Sequence, residues 1–260
     1  MVTVDVSPIV TVVTITRRRT ALLPRAIASV QRQELAPIDH LIVIDDCPET
    51  LELLERSRAT LRANVRWMVE HRDPGDTSGP LRSAMIRNRG VRAAAGKWIA
   101  FLDDDNEFEP DHLTSLVTLG EESGLRAVHS WLKMLNCDGT PHITDTDPWR
   151  KDPEASRRRW VWAVAKGVRA PGSHVFRDRC DPLDEPDPVR SVDTGEWLLR
   201  RDLLIDLPLP VTYPTGGDAI VSEDDRYMEE LLRFGEPIGC SARPTLRYYL
   251  GGYSNTGTFL

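Results

Sequence analysis

The chain has 260 residues, with 33 basic against 40 acidic side chains and a formal net charge of −7. At 40% hydrophobic and 28% charged residues it has the composition of a folded globular protein, which excludes disordered, collagenous and disulfide-scaffold classes. The acidic balance also argues against neutralising nucleic-acid phosphate over a broad face, while leaving room for a local basic pocket that takes a small anion.

Only four of the basic residues are Lys (Lys97, Lys133, Lys151 and Lys166). Cys47, Cys137, Cys180 and Cys240 form no C-x-x-C pair, so neither a zinc site nor a short disulfide framework is indicated, and a reduced, cytoplasmic setting is expected. The start, MVTVDVSPIVTVVTITRRR, reads as a strand and not as a signal peptide. No stretch approaches the roughly 18 apolar residues of a membrane span, so no integral membrane segment is expected. At this length one domain over 1–260 is expected, with 1–110 and 111–260 as its two halves.

In chain order, Ile9 to Thr16 is a β-branched run that predicts a buried strand. Ala21 to Gln33 repeats Leu23, Ile27 and Val30 at helical spacing, with Thr20 placed to cap and Pro24 in the first turn. Leu41 to Ile44 predicts a second strand, followed by an amphipathic stretch through Leu51, Leu54 and Leu61. Val65 to Val69 predicts a third strand, and Arg72 to Pro80 a loop. Leu81 to Ala95 is an Ala-rich helix closed by Gly96, and Lys97 to Leu102 predicts a fourth strand. Beyond Pro110 a helix from Asp111 to about Leu119, a strand from Ala127 to Leu135 and a turn at Cys137 to Thr140 are expected. The segment 141–187 shows no clear period. Order returns at Val192 to Leu204, in a helix from Glu223 to Phe234, and in a Tyr/Gly-rich tail from Tyr248 to Tyr253. Repeated β-α alternation predicts an α/β fold, a mostly parallel central sheet flanked by helices, whose ligands bind beyond the carboxyl ends of the strands.

Two acidic clusters stand at such ends, Asp45-Asp46 and Asp103-Asp104-Asp105. Adjacent carboxylates oppose one another's ionisation, so something must offset the repulsion. In extended backbone Asp103 and Asp105 would share one side and Asp104 the other, and two converging carboxylates suit Mg2+ or Mn2+ with phosphate oxygens as further ligands. An acidic loop capping the next helix is the competing reading, because Glu107, Glu109, Pro110 and Asp111 are all first-turn residue types.

The stretch running from Arg82 through Arg87-Asn88-Arg89-Gly90, Ala94-Ala95-Gly96, Trp98-Ile99-Ala100-Phe101-Leu102 and Asp103-Asp104-Asp105 to Pro110 resembles the family 2 inverting glycosyltransferases of the GT-A fold. Their pattern is R-N-x-G, A-x-G, an aromatic-Ile-x-Phe-Leu strand and D-x-D followed by Pro. The resemblance covers roughly residues 9 to 120. It implies a nucleotide-sugar-binding half in 1–110 and an acceptor-binding half in 111–260, and a donor that is a nucleotide-diphosphate sugar, UDP-linked. Thr16, Arg18, Asp45, Asp46, Arg82, Asp103 and Asp104 would bind that donor, and a Mg2+ or Mn2+ cofactor would sit on Asp105 with Asp103. In Ser222-Glu223-Asp224-Asp225 the family's E-D motif makes Asp224 the catalytic base, with Glu223 or Asp225 as competing assignments. A capping box on Ser222 and Asp225 is the structural alternative. Glu223 and Trp197 would line the acceptor and sugar pocket, with a core position the alternative for Trp197. The acceptor implied is a hydroxyl or amine of a small molecule or glycan precursor, with no nucleic-acid partner; a homodimer stays open.

Where the family has Pro-Thr-Tyr-Asn after the first strand, this chain has Arg17-Arg18-Arg19, read either as phosphate or acidic-acceptor contacts or as an exposed basic loop. The tail Arg247 to Asn255 has glycines fit for a hinge but no His. A dinucleotide dehydrogenase is excluded, since no glycine lies between Thr16 and Arg25. A sugar-1-phosphate nucleotidyltransferase and a non-catalytic nucleotide- or sugar-binding module remain as alternatives.

Overall fold

The structure, a computed structural model, describes residues 7–73, 79–212 and 222–252. The middle of the Arg72 to Pro80 loop and the tail beyond Gly252 lie outside the described residues.

The first half alternates β1 (Val10–Thr16), α1 (Leu23–Gln31), β2 (Ile38–Asp45), α2 (Pro48–Ser57), β3 (Val65–Glu70), α3 (Pro80–Ala93) and β4 (Trp98–Phe101). It continues through β5 (Glu107–Phe108), α4 (His112–Ser123), β6 (Ala127–Leu135), α5 (Pro153–Ala165) and β7 (Val175–Phe176). The last elements are β8 (Trp197–Arg200), α6 (Arg201–Asp206), α7 (Glu223–Phe234) and β9 (Ile238–Tyr249). Among the described residues the strands form one sheet in the order β3-β2-β1-β4-β8-β6-β9-β5, with β7 beside β6. β3, β2, β1 and β4 are parallel; β8 then runs antiparallel to both β4 and β6, and β6 pairs parallel with β9.

The β-branched composition of β1 follows from burial on both faces. Val13 points into a core with Ile86 and Val91 of α3 and Met228 and Leu231 of α7, while Val10 and Val12 face Ala26 and Val30 of α1 and Leu113 and Leu116 of α4. The helices thus form a layer on each side of the sheet. The two motif glycines allow close approach between layers. A Cβ on Gly90 would lie 2.6 Å from Val13 Cγ1, and one on Gly96 2.4 Å from the Thr11 backbone nitrogen.

Several boundaries differ from the expectations. Thr20 does not cap α1, which begins at Leu23 behind Leu22 with Pro24 in its first turn. Leu61 lies beyond the end of α2. Gly96 does not close α3; Ala94 has already turned extended, and Gly96 serves the contact with β1 instead. The segment without a clear period holds α5 and β7, and β9 begins well ahead of the Tyr-rich tail. After Phe101 the chain leaves the sheet and turns, with the Asn106 amide donating to the Asp103 carbonyl at 3.1 Å, so the two-sided alternation expected of Asp103 to Asp105 does not hold. Among the described residues no helix is long and apolar enough to cross a membrane.

Candidate active site

With β1 between β2 and β4, the strand order reverses at β1, and a crevice opens beyond the carboxyl ends of these strands. It is a cleft of about 780 Å3. Thr16, Arg17 and Arg19 enter it from the end of β1, Asp45 from β2, and Asp103 to Asp105 from the turn after β4. From the second half come Asp193, Thr194, Glu223 and Asp224.

At one end Asp45 is clamped by two guanidiniums. Arg82 Nε and Nη2 donate to its Oδ1 at 3.0 and 2.9 Å, and Arg72 Nε donates to both oxygens at 3.1 Å. Arg82, on the first turn of α3, is itself only 3% exposed and also donates to the His71 carbonyl at 3.0 Å. The sequence therefore places Asp45 and Arg82 at the same spot, but as partners of each other.

The aspartate turn is met by Arg19, Arg25 and Arg87, with Arg25 Nη2 donating to the Asp105 carbonyl at 2.6 Å. Arg19 pairs with Asp105 and lies 3.6 Å from Asp104. Burial and the Asp105 charge push Asp104 up to about 7 against the pull of Arg19. Burial and the Asp103 charge likewise raise Asp105, again opposed by Arg19. Asp103 pairs with Arg87 at 2.5 Å while its charge still acts on Asp105. The donor set is all carboxylate oxygen, which fits a hard divalent cation, and carboxyls raised by one another's charge are relieved by added positive charge. Among the described residues no three His, Cys, Asp or Glu side chains converge as a preformed metal cage.

Arg87, from the R-N-x-G run, bridges Asp103 and Glu223 and so ties the turn after β4 to the start of α7. Asn88 of the same run clasps both backbone groups of Leu209, donating to its carbonyl at 2.8 Å and accepting from its amide at 3.0 Å. Ser222 caps α7 by accepting from the Asp225 amide, which stands Glu223 and Asp224 at the cleft. Asp224 accepts a hydrogen bond from the Thr194 hydroxyl. Burial pushes Asp224 up to about 6, while Thr194 and the Arg87 charge pull the other way. The adjacent Asp193, which accepts from the Gly195 amide at 2.8 Å, is raised well above the carboxylate range by burial and by the charge of Asp224.

Three of the expected residues stand elsewhere. Arg18 has a left-handed backbone (φ 56°) that directs it to solvent, and Arg17 and Arg19 line the cleft in its place. Asp46, also left-handed at φ 46°, lies outside the cleft and faces His71. Trp197 is a core residue, 2% exposed and edge-on to His129, because β8 is covered on both faces. Of the aromatics that line the cleft, Trp149, Trp162, Phe176 and Tyr248, Trp149 is the exposed one, at 39%, held edge-on by Phe176 and Tyr248. It comes from the segment without a period and had no local signal. Arg87 and Thr194 sat inside quoted motifs, but their partners are tertiary.

Residues 11–177 match the sequence profile of Glycosyl transferase family 2. The chain belongs to that family. Over 137 residues this family 2 chain is 30% identical to the succinoglycan biosynthesis protein ExoO of Rhizobium meliloti (strain 1021), a match that covers 52% of the chain and 36% of the relative. The match thus spans about a third of that relative's length. S. aureus TarS (residues 1–349) in complex with UDP-GlcNAc superimposes at a TM-score of 0.58 with 14% identity, over 96% of this chain and 61% of that one. The mannosyltransferase PcManGT of Pyrobaculum calidifontis, in complex with GDP-Man and Mn2+, gives 0.58 with 13% identity, over 94% and 57%. At these identities the likeness is one of fold, and it places this family 2 chain in the GT-A arrangement.

Proposed function

We propose that this family 2 chain transfers a sugar, with inversion, from a nucleoside-diphosphate sugar, UDP-linked, to a hydroxyl or amine of a small-molecule or glycan-precursor acceptor. The observation that carries this reading is that one cleft holds the Asp103 to Asp105 turn on one wall and Asp224 on the other, bridged through Arg87 and Glu223. The complexes of TarS with UDP-GlcNAc and of PcManGT with GDP-Man and Mn2+ support it by analogy of fold.

In this reading the nucleotide lies along the ends of β1 and β2. Arg82 and Arg72 offer guanidinium donors suited to base, ribose or diphosphate oxygens once Asp45 shares them. Asp105 and Asp103 would hold the divalent cation, which when bound neutralises charge developing on the departing diphosphate. Asp224 takes the proton of the acceptor hydroxyl, and its position near pH 6 suits a base that is ionised at neutrality yet still basic. The Thr194 hydroxyl fixes the Asp224 carboxylate in orientation, and Glu223, held by Arg87, lines the same wall.

Nucleoside diphosphate release from UDP-glucose, UDP-GlcNAc and GDP-mannose, each with and without Mn2+, tests the proposal. One donor should turn over in a Mn2+-dependent way, and Asp105→Asn should lower that rate by at least about a hundredfold. Metal-dependent turnover left intact in Asp105→Asn would contradict it.

A further inference from the structure

The far end of the cleft, beyond Asp224, is built differently from the nucleotide end. Its wall comes from α5 and the irregular segments around it, and it carries two arginines that the aspartate turn does not neutralise. Arg159 lies half-buried on α5, with its guanidinium over the Trp162 ring at 3.9 Å from the centroid. It lines the cleft and, among the described residues, makes no ion pair. Four acidic groups act on it, Asp147, Asp178, Asp187 and Asp225, and among the described residues none closes an ion pair with it. Asp187 binds Lys166 at 2.8 Å and accepts from Trp162 Nε1 at 3.0 Å; Asp147 accepts from the Trp149 amide at 3.0 Å; Asp225 lies on the Ser222 cap.

Arg169, 8% exposed, stacks on Phe176 at 3.6 Å, donates to the Thr146 carbonyl at 3.3 Å, and has Asp147 at 4.0 Å and the charge of buried Asp178 near it. The Arg169 and Arg159 charges repel each other, and burial lowers both groups, Arg169 to about 10. Among the described residues neither guanidinium has a carboxylate oxygen nearer than 4.0 Å, so an anion that comes closer gains charge-assisted hydrogen bonds, in competition with Asp147 and the buried Asp178. Beside them the exposed Trp149 face offers an apolar plate of the kind that takes a sugar ring. Asp225, which feels the Arg159 charge, follows Asp224 directly, so this wall adjoins the base.

We propose that this end of the cleft is an oxyanion subsite for the acceptor, and that the acceptor is a saccharide carrying a carboxylate or phosphate, bound through Arg159 with Arg169 behind it and its ring against Trp149. The inference rests on the glycosyl-transfer reading, since it names the acceptor class of that site.

Calorimetric titration of the full chain with D-glucuronate, glucose 6-phosphate and D-glucose, in the presence of UDP and Mn2+, tests it. At least one anionic sugar should bind about tenfold or more tighter than glucose, as a charged hydrogen bond allows. Arg159→Gln should erase that preference and Arg159→Lys should keep part of it, with thermal melts checking that both variants fold. A preference for glucuronate alone identifies a carboxylate acceptor, and one for glucose 6-phosphate alone a phosphorylated acceptor. Equal affinities, no binding of either anion, or a preference that survives Arg159→Gln overturns the proposal. Titration with UDP and GDP beforehand separates the two readings. Nucleotide binding without an oxyanion preference removes only the acceptor subsite, whereas absence of nucleotide binding removes the donor reading itself.

Discussion

Asp224, the base of the proposed reaction, is placed to be costly to the fold. Its carboxyl sits at about 6 against the ordinary 3.8, so between about pH 4 and pH 6 the native state holds a proton that the unfolded chain has lost. Stability contributed at this residue therefore falls as pH rises through that window, and the cost is fully present at pH 7. Asp224→Asn should consequently melt higher than the parent at pH 7 but not at pH 4, while turnover falls by about 10^2-fold or more. In the parent, the rate should rise with pH along a limb centred near 6. A lower melting temperature for Asp224→Asn at pH 7, with turnover retained, would remove Asp224 from the base role. Arg87 carries the opposite sign. Replacing it with Met leaves Glu223 buried and Asp103 without its partner, so about 3 kcal/mol of stability should be lost on urea denaturation. That dependence was not legible in the sequence. The R-N-x-G run marks Arg87, but that it reaches both a turn after β4 and the start of α7 is decided by packing alone.

Among the elements, those with a strong local period were legible and the others were not. β1 to β4 are β-branched or apolar runs, and α7 was predicted at its observed bounds, Glu223–Phe234, because a Ser cap and an amphipathic repeat agree. β9 escaped notice because none of its residues from Ile238 to Pro244 is buried, Gly239 and Pro244 interrupt the stretch, and it pairs with β6 through a register shift near Trp131. α5 carries three consecutive Arg and two Trp at its centre and buries only Ser156 and Ala163, so no apolar stripe announces it. The motif glycines illustrate a signal that was visible but assigned a different cause, since Gly96 looked like a helix stop and proved to be a contact. Gly90 makes the same point testable. Its absent Cβ would stand 2.6 Å from Val13 Cγ1, so Gly90→Ala should cost about 1–3 kcal/mol on denaturant unfolding. Adding Val13→Ala should return part of that loss, giving a coupling energy between the two sites. Strict additivity would show that the two layers are not pressed together there.

For the whole molecule, the parallel half supplies a switch point at β1 and the mixed half folds a second wall over it, so the cleft joins residues from both ends of the chain. The position of that cleft was legible, because ligands of such sheets bind at the carboxyl ends of strands, and the aspartates mark those ends. The second wall was not, since Trp149, Arg159 and Arg169 come from the segment without a period. The central claim is that the aspartate turn and the ends of β1 and β2 form a cation-assisted site for a nucleoside diphosphate. Calorimetric titration with UDP, GDP and dTDP, each with and without Mn2+, tests it most directly. Binding of one of these diphosphates that requires Mn2+ is the predicted result. No binding of any of them, or binding of equal strength without the metal, would contradict the account.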